Sequence, residues 1–428
     1  MEFITKCPFC DNNNWITWHH VGCPYSYDQE IDIKGNIKCD CNTKYNILDA
    51  EFNCQSEEHL RKHGDKYVGF TRKNQIRKIS VMIGKMQNCS TNFEDKLIDY
   101  PFQMNIHELS KDKFIDCLYD LFNKQEKEVY NNFLDMLYGK FGISITEMFL
   151  KPYNEKLYAT DLTKLDKDAM GRFFPYANIS EIINNMKNHS NTSYNNTFMY
   201  PKKGAQVIVN KLCEKVDMNK VMLNTSVTSI DLNKKEVTLS TKEVISYNNL
   251  INTIPFNKFL SLLNIQEYTN FSNELSYNKV LVFNLGFDKK STYNNTDWIY
   301  FPDKNINFYR AGFYDNILSN DKLSMYIEIG YSKESIIDES TINKELSLTL
   351  DNLKKCKIID DTFKLVKYES IIMDPAYVHI DTLHDKLVKE IINDLETKNV
   401  YSVGRYGSWT YSSMEDAMLQ SKELVEKL

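Results

Sequence analysis

Glycine and proline are scarce in this chain, at 14 and 9 of 428 residues, while asparagine and lysine are abundant. That imbalance reads as compositional drift of an AT-rich genome rather than as a mark of function. No apolar run approaches the ~18 residues that would cross a bilayer. No cationic and then apolar leader opens the sequence, so secretion is not expected. Positive charge is not in excess either: the net charge is -6 and the isoelectric point about 5.9. A protein that coats nucleic acid with its whole surface is thereby excluded. The expectation is a soluble, cytoplasmic protein with neither membrane nor nucleic acid as partner.

What is present divides unevenly along the chain. The length allows two or three domains, and a hydrophobic content of 42% supports real cores. Six of the ten cysteines fall between Cys7 and Cys54. In a reducing compartment such a cluster favours metal ligation over disulfides. Cys7, Cys10, Cys39 and Cys41 are the first choice for a tetrahedral zinc site on two knuckles. The second pair is spaced C-x-C, however, and Cys23, Cys54, His59 or His63 could replace either member. A cluster that is merely reduced is the alternative. Residues 61–85 carry eight Lys or Arg against one acidic residue, Asp65, but the interleaved Val68, Phe70, Ile76, Ile79 and Val81 fit ordinary surface strands. A boundary near residue 90 separates this Cys/His-rich, zinc-ribbon-like module (1–90) from the rest (91–428).

Beyond it the pattern is mixed α/β, with helices and sheet partly segregated (α+β). Asn105 to Phe122 has helical periodicity, and so do Tyr130 to Tyr138, Phe141 to Phe149, which follows it closely, and Asp161 to Arg172. Ala205 to Val216 is a further amphipathic helix. Lys235 to Ser240 and Glu243 to Tyr247 make a hairpin, and Leu250 to Pro255 reads as a buried strand. The apolar segments Lys279–Phe287, Trp298–Phe301, Phe308–Gly312 and Ser324–Ile329 suggest an antiparallel sheet. The closing stretch, Val400 to Ala417, reads as strand, glycine turn and helix. Ser412 or Ser413 would cap that helix, with Glu415 and Asp416 in its first turn. A strand that ends at a helix start offers backbone N–H groups to an anionic ligand.

Several segments in fixed order together resemble UDP-galactopyranose mutases and, more loosely, flavin amine oxidases and protoporphyrinogen oxidases. They are Tyr100-Pro-Phe-Gln103, Pro152-Tyr-Asn-Glu-Lys156, Phe198-Met-Tyr-Pro-Lys-Lys-Gly204, Leu250-Ile-Asn-Thr-Ile-Pro255, Trp298-Ile-Tyr-Phe-Pro-Asp303, Phe308-Tyr-Arg310 and Gly404-Arg-Tyr-Gly-Ser-Trp-Thr-Tyr411. The resemblance runs from about Leu97 to the C-terminus. It implies a partial FAD-linked doubly wound domain joined to a helical and antiparallel-sheet substrate region. In that family reduced FAD acts as a nucleophile on a UDP-sugar.

By resemblance, Arg172 and Arg310 would clamp the diphosphate, and Tyr300, Tyr377 and Tyr411 would bond diphosphate or sugar. Tyr100, Phe102 and Gln103 would hold the uracil, and Asn154 and Tyr158 would also contact substrate. Val227, Thr253, Gly404, Arg405, Ser413 and Met414 would meet the flavin. The family's opening fingerprint, G-x-G-x-x-G, is missing: before Tyr100 the only glycines are Gly22, Gly35, Gly64, Gly69 and Gly84, and no Gly-Gly-His occurs. Three readings follow. The chain is a mutase-like flavoprotein whose nucleotide-binding half comes from its first residues or from a partner chain; or an FAD-less relative that binds a nucleotide sugar or a partner; or a zinc-ribbon interaction module on a degenerate scaffold.

Overall fold

The structure, a computed structural model, describes residues 89–428 apart from 95, 172–173, 175–177, 189–196, 202 and 294–295. Within the first 88 residues it describes the backbone of six short strands. Cys7, Cys10, Cys39 and Cys41, with the alternative ligands Cys23, Cys54, His59 and His63, lie outside the described residues, and so does Arg172.

The chain forms two compact units, Met1–Gln87 with Asn195–Val221 and Asn88–Tyr194 with Met222–Leu428. In the first unit, Glu2–Lys6 lies between Asn13–Thr17 and Phe52–Asn53, antiparallel to both. Asn36–Lys38 pairs with Lys44–Asn46, and Met82–Met86 with Thr197–Pro201. The amphipathic helix expected after Gly204 is present as Gln206–Cys213.

The second unit is built on a seven-stranded sheet in the order Leu365–Met373, Asn278–Phe287, Ser324–Ser332, Arg310–Phe313, Trp298–Tyr300, Cys89–Phe93, Lys96–Asp99. Its pairs are antiparallel except Trp298–Tyr300 against Cys89–Phe93. The strict alternation of Ser324–Ser332 puts Met325, Ile327 and Ile329 on a buried face. That face joins Leu281, Phe283 and Leu285 of the neighbouring strand, and Leu353 of helix Glu339–Lys355 packs over them.

A second core is helical. Lys111–Asn123, Phe133–Ile145 and Lys151–Tyr158 enclose Phe102, Phe133, Phe141 and Phe149. The two segments expected from Tyr130 to Tyr138 and from Phe141 to Phe149 meet in Phe133–Ile145. Gly142, at φ +75°, kinks it, and a π-helical turn, Thr146–Leu150, leads into Lys151–Tyr158. The third core joins the meander Val227–Asp231, Glu236–Leu239, Val244–Ser246 to a parallel pair, Leu250–Asn252 with Val400–Ser402.

Two expectations are corrected. Asp161 to Arg172 is not a helix: its described part is a 3-10 turn, Leu162–Lys164, followed by further turns. The Asp161 carboxylate accepts the Thr163 amide at 2.9 Å and Asp166 accepts the Asp168 amide at 2.8 Å, bonds that compete with helical pairing. Leu250–Asn252 is not fully buried, because Ile251 is 47% exposed and the pair has two strands among the described residues. No helix among the described residues is long and apolar enough to cross a membrane.

Candidate functional site: a chamber of arginine and tyrosine

Helix Lys151–Tyr158 opens with proline in its first turn, where the missing N–H costs nothing. It sends Tyr153 towards the sheet and Tyr158 into the core. The Tyr153 ring lies 5.3 Å from Phe149, 5.0 Å from Tyr300 and 6.2 Å from Tyr309, between ring centres. Tyr300 in turn lies 5.5 Å from Tyr100. On the other side Tyr158 meets Tyr377 at 6.2 Å, and Tyr377 stacks on Tyr411 at 5.9 Å. The Arg405 guanidinium lies 4.6 Å from the Tyr411 ring centre and 5.1 Å from that of Tyr377.

Arg310 occupies the strand beside Tyr300 and is paired with Glu328 directly across the ladder. Its Nε and Nη2 donate to the two carboxylate oxygens at 3.1 and 2.5 Å. Burial works against the cation, but Glu328, Tyr326 and Tyr377 hold it protonated well above the usual arginine range. Burial pushes the Tyr377 phenol up to about 12, and drives Tyr153, Tyr158 and Tyr309 well above their usual value. These four tyrosines are therefore neutral hydroxyls, each able to donate as well as accept. Asn154 Oδ1, Tyr158 Oη and Arg405 Nε are buried without a hydrogen-bond partner in the protein. Most buried polar groups have one, so these three mark the chamber as a place for polar ligand atoms.

Of the residues expected from sequence, Arg310, Tyr300, Tyr377, Tyr411, Tyr100, Tyr158 and Arg405 form this connected set. Phe102 borders it through Phe149, and Gln103 follows Phe102 in the same turn. Both are wholly buried in the turn Phe102–Met104, and Phe102 stacks on Phe149 at 4.9 Å, so neither offers a surface to a uracil. The apolar demand of the helical core takes Phe102 inward. Asn154 is buried, and its Nδ2 donates to the Leu150 carbonyl at 2.6 Å. Val227 begins the meander, while Thr253 and Met414 are exposed. Sequence reasoning missed Tyr153 and Glu328. Tyr153 stands in the Pro152-to-Lys156 segment, and only knowledge of strand register would have pointed to Glu328.

The chain belongs to the family of flavin containing amine oxidoreductases, whose model matches residues 44–348. Among solved structures, that of a reduced UDP-galactopyranose mutase superimposes with a TM-score of 0.76 at 21% identity, covering 93% of this chain and 84% of that one. A putative protoporphyrinogen oxidase from Exiguobacterium sp. 255-15 gives 0.60 at 13%, covering 88% and 87%. A fatty acid isomerase from P. acnes, described as producing CLA, gives 0.53 at 11%, covering 90% and 87%. At these identities the likeness is one of fold.

Family membership implies FAD, and the closing turn tests whether the described residues suit it. The sequence suggested that this turn presents free N–H groups to an anion. Instead the Gly404 amide donates to Gln420 Oε1 at 2.7 Å. The start of helix Met414–Lys427 is closed by a capping box, in which Ser413 and Asp416 satisfy each other's amides. Beside it lies a cavity of about 550 Å³ lined by Asp168, Asp416 and Glu423, with no Lys or Arg among the described residues of its wall. Carboxylates repel a pyrophosphate, and an amide already bonded within the protein has no hydrogen to offer it. The described residues at this turn therefore do not fit the anionic part of FAD, and the Arg405 guanidinium lies against the Tyr377 and Tyr411 rings.

Proposed function

We propose that this chain binds a nucleoside diphosphate sugar of the UDP-sugar type in the arginine and tyrosine chamber. The single observation that carries the reading is Arg310, held in one orientation by Glu328 within a wall of tyrosines. The pair uses Nε and Nη2, which leaves Nη1 to donate to a diphosphate oxygen. Glu328 offsets part of the charge, so Arg310 contributes direction more than field strength, as a planar guanidinium can and a lysine cannot. Arg405 is a second cation of the chamber, and Arg172 is assigned to the same clamp from the sequence. Tyr300, Tyr377 and Tyr411 would donate to phosphate or sugar oxygens, and Tyr100 would stack on the base.

Catalysis of the mutase type is a second reading, supported by family membership and by the fold. It requires FAD held by parts of the chain outside the described residues or by a partner chain. The two are separated by purifying the protein and recording its visible spectrum before and after adding FAD, alongside titration with UDP-galactose. Binding of the sugar nucleotide by a colourless protein that takes up no FAD supports the first reading. Flavin absorbance with turnover supports the second. Failure of UDP and UDP-galactose to bind under any flavin condition would remove both.

A further inference from the structure

Lys156 belongs to the Pro152-to-Lys156 segment, yet no ligand role falls to it. Its Nζ reaches away from helix Lys151–Tyr158 to the chain that joins strands Trp298–Tyr300 and Arg310–Phe313. There it donates to three backbone carbonyls: Phe301 at 2.7 Å, Asp303 at 2.9 Å and Phe308 at 2.6 Å. Three acceptors converging on one nitrogen match the three hydrogens of an ammonium group, whereas a planar guanidinium cannot aim three donors at one point. Neighbouring carboxylates are engaged elsewhere. Glu155 pairs with Lys304 at 2.8 Å, and Asp303 accepts from Asn305 at 2.8 and 2.9 Å. Burial lowers the Lys156 pKa from 10.5 to about 7, against the pull of Asp303, and its hydrogen-bond acceptors are the carbonyls of the connection rather than an acid.

The same end of the helix is fixed to its other neighbours. Asn278 Nδ2 donates to the Leu157 carbonyl at 2.5 Å, and His379 Nε2 lies 2.9 Å from the Tyr158 carbonyl. Gly330 lets strand Ser324–Ser332 approach so closely that a Cβ there would stand 2.1 Å from the Lys156 carbonyl oxygen. The helix carries Tyr153, Asn154 and Tyr158, and the hairpin carries Tyr300 and Arg310. Lys156 bonds the helix to three carbonyls of the connection within the hairpin, beside the more exposed pair Glu155–Lys304.

We propose that Lys156 is a positioning residue for the chamber: its bonds to 301, 303 and 308 set the distance between the helix that carries Tyr153 and Tyr158 and the hairpin that carries Tyr300 and Arg310. Its consequence for affinity rests on the nucleotide-sugar reading above, while its consequence for the hairpin does not. Lys156→Met keeps the aliphatic stem and removes the donors, and Lys156→Arg keeps charge without the geometry.

The test is hydrogen exchange on the full chain, paired with UDP-galactose titration of the same samples. In Lys156→Met the amides of Ile306 and Tyr309, which bond within or next to the connection, should exchange about tenfold faster, while those of Asn278–Phe287 stay unchanged. Affinity should fall about tenfold in the folded variant, and Lys156→Arg should show both effects to a smaller degree. Should Lys156→Met fail to fold, the same two readings on Lys156→Arg decide. Unchanged exchange of Ile306 and Tyr309 overturns the proposal, and so does faster exchange with unchanged affinity. If the wild type binds no UDP-galactose, the nucleotide-sugar reading falls, and exchange alone still decides whether Lys156 holds the hairpin.

Discussion

Arg310 and Glu328 stand opposite each other on adjacent antiparallel strands, joined through Nε and Nη2. Their side chains are 26% and 12% exposed, so little water is at hand to stabilise either charge alone. Removing one partner leaves a charge with nothing to offset it. Glu328→Gln should lose ~3 kcal/mol of stability, and Arg310→Met should lose a similar amount. The double variant Arg310→Met with Glu328→Met should lose clearly less than the sum. Urea unfolding of the three proteins measures this, and strictly additive losses would show that the two charges are not coupled.

Gly330 predicts a steric effect. Its absent Cβ would meet the backbone carbonyl of Lys156, which has no rotamer to escape into. Gly330→Ala should cost ~1–3 kcal/mol. Gly404 is the contrasting case: a Cβ there meets nothing within 4 Å, but φ is +80°. Gly404→Ala should therefore cost ~1 kcal/mol through backbone strain alone. A Gly330→Ala protein as stable as wild type would mean that helix and strand are not in contact.

His379 links stability to pH. It is buried, with Nδ1 2.7 Å from Ser276 Oγ and Nε2 2.9 Å from the Tyr158 carbonyl. Burial lowers its pKa from 6.5 to about 4. Between those values the unfolded chain binds a proton that the folded chain refuses. The contribution is therefore full above pH 6.5 and is lost as the pH falls towards 4, by ~3 kcal/mol in all. Unfolding midpoints taken across that range should fall more steeply for wild type than for His379→Gln. Parallel slopes would contradict the assignment.

How much of this was legible in the sequence follows from which interactions are local. The alternation in Ser324–Ser332, the hairpin Glu236–Leu239 with Val244–Ser246, and the Ser413 cap are short-range signals, and each could be read directly. The family segments hold Tyr100, Tyr153, Tyr300, Tyr309 and Tyr411, whereas Tyr158 and Tyr377 lie outside them. Glu328 as the partner of Arg310 depends on strand register, which no motif states. The inward turn of Phe102 depends on a helical core assembled from Phe133, Phe141 and Phe149. Likewise the occupied Gly404 amide depends on Gln420, a side chain on the following helix. A turn that looked open to an anion in sequence is filled by its own chain in space.

The central claim is that a fixed arginine in this chamber recognises a nucleotide sugar. Calorimetric titration of the wild type and of Arg310→Lys with UDP-galactose tests it most directly. Saturable binding by the wild type, weakened about tenfold or more in a folded Arg310→Lys protein, is the predicted result. No binding by the wild type, or equal affinity in the two proteins, would contradict it.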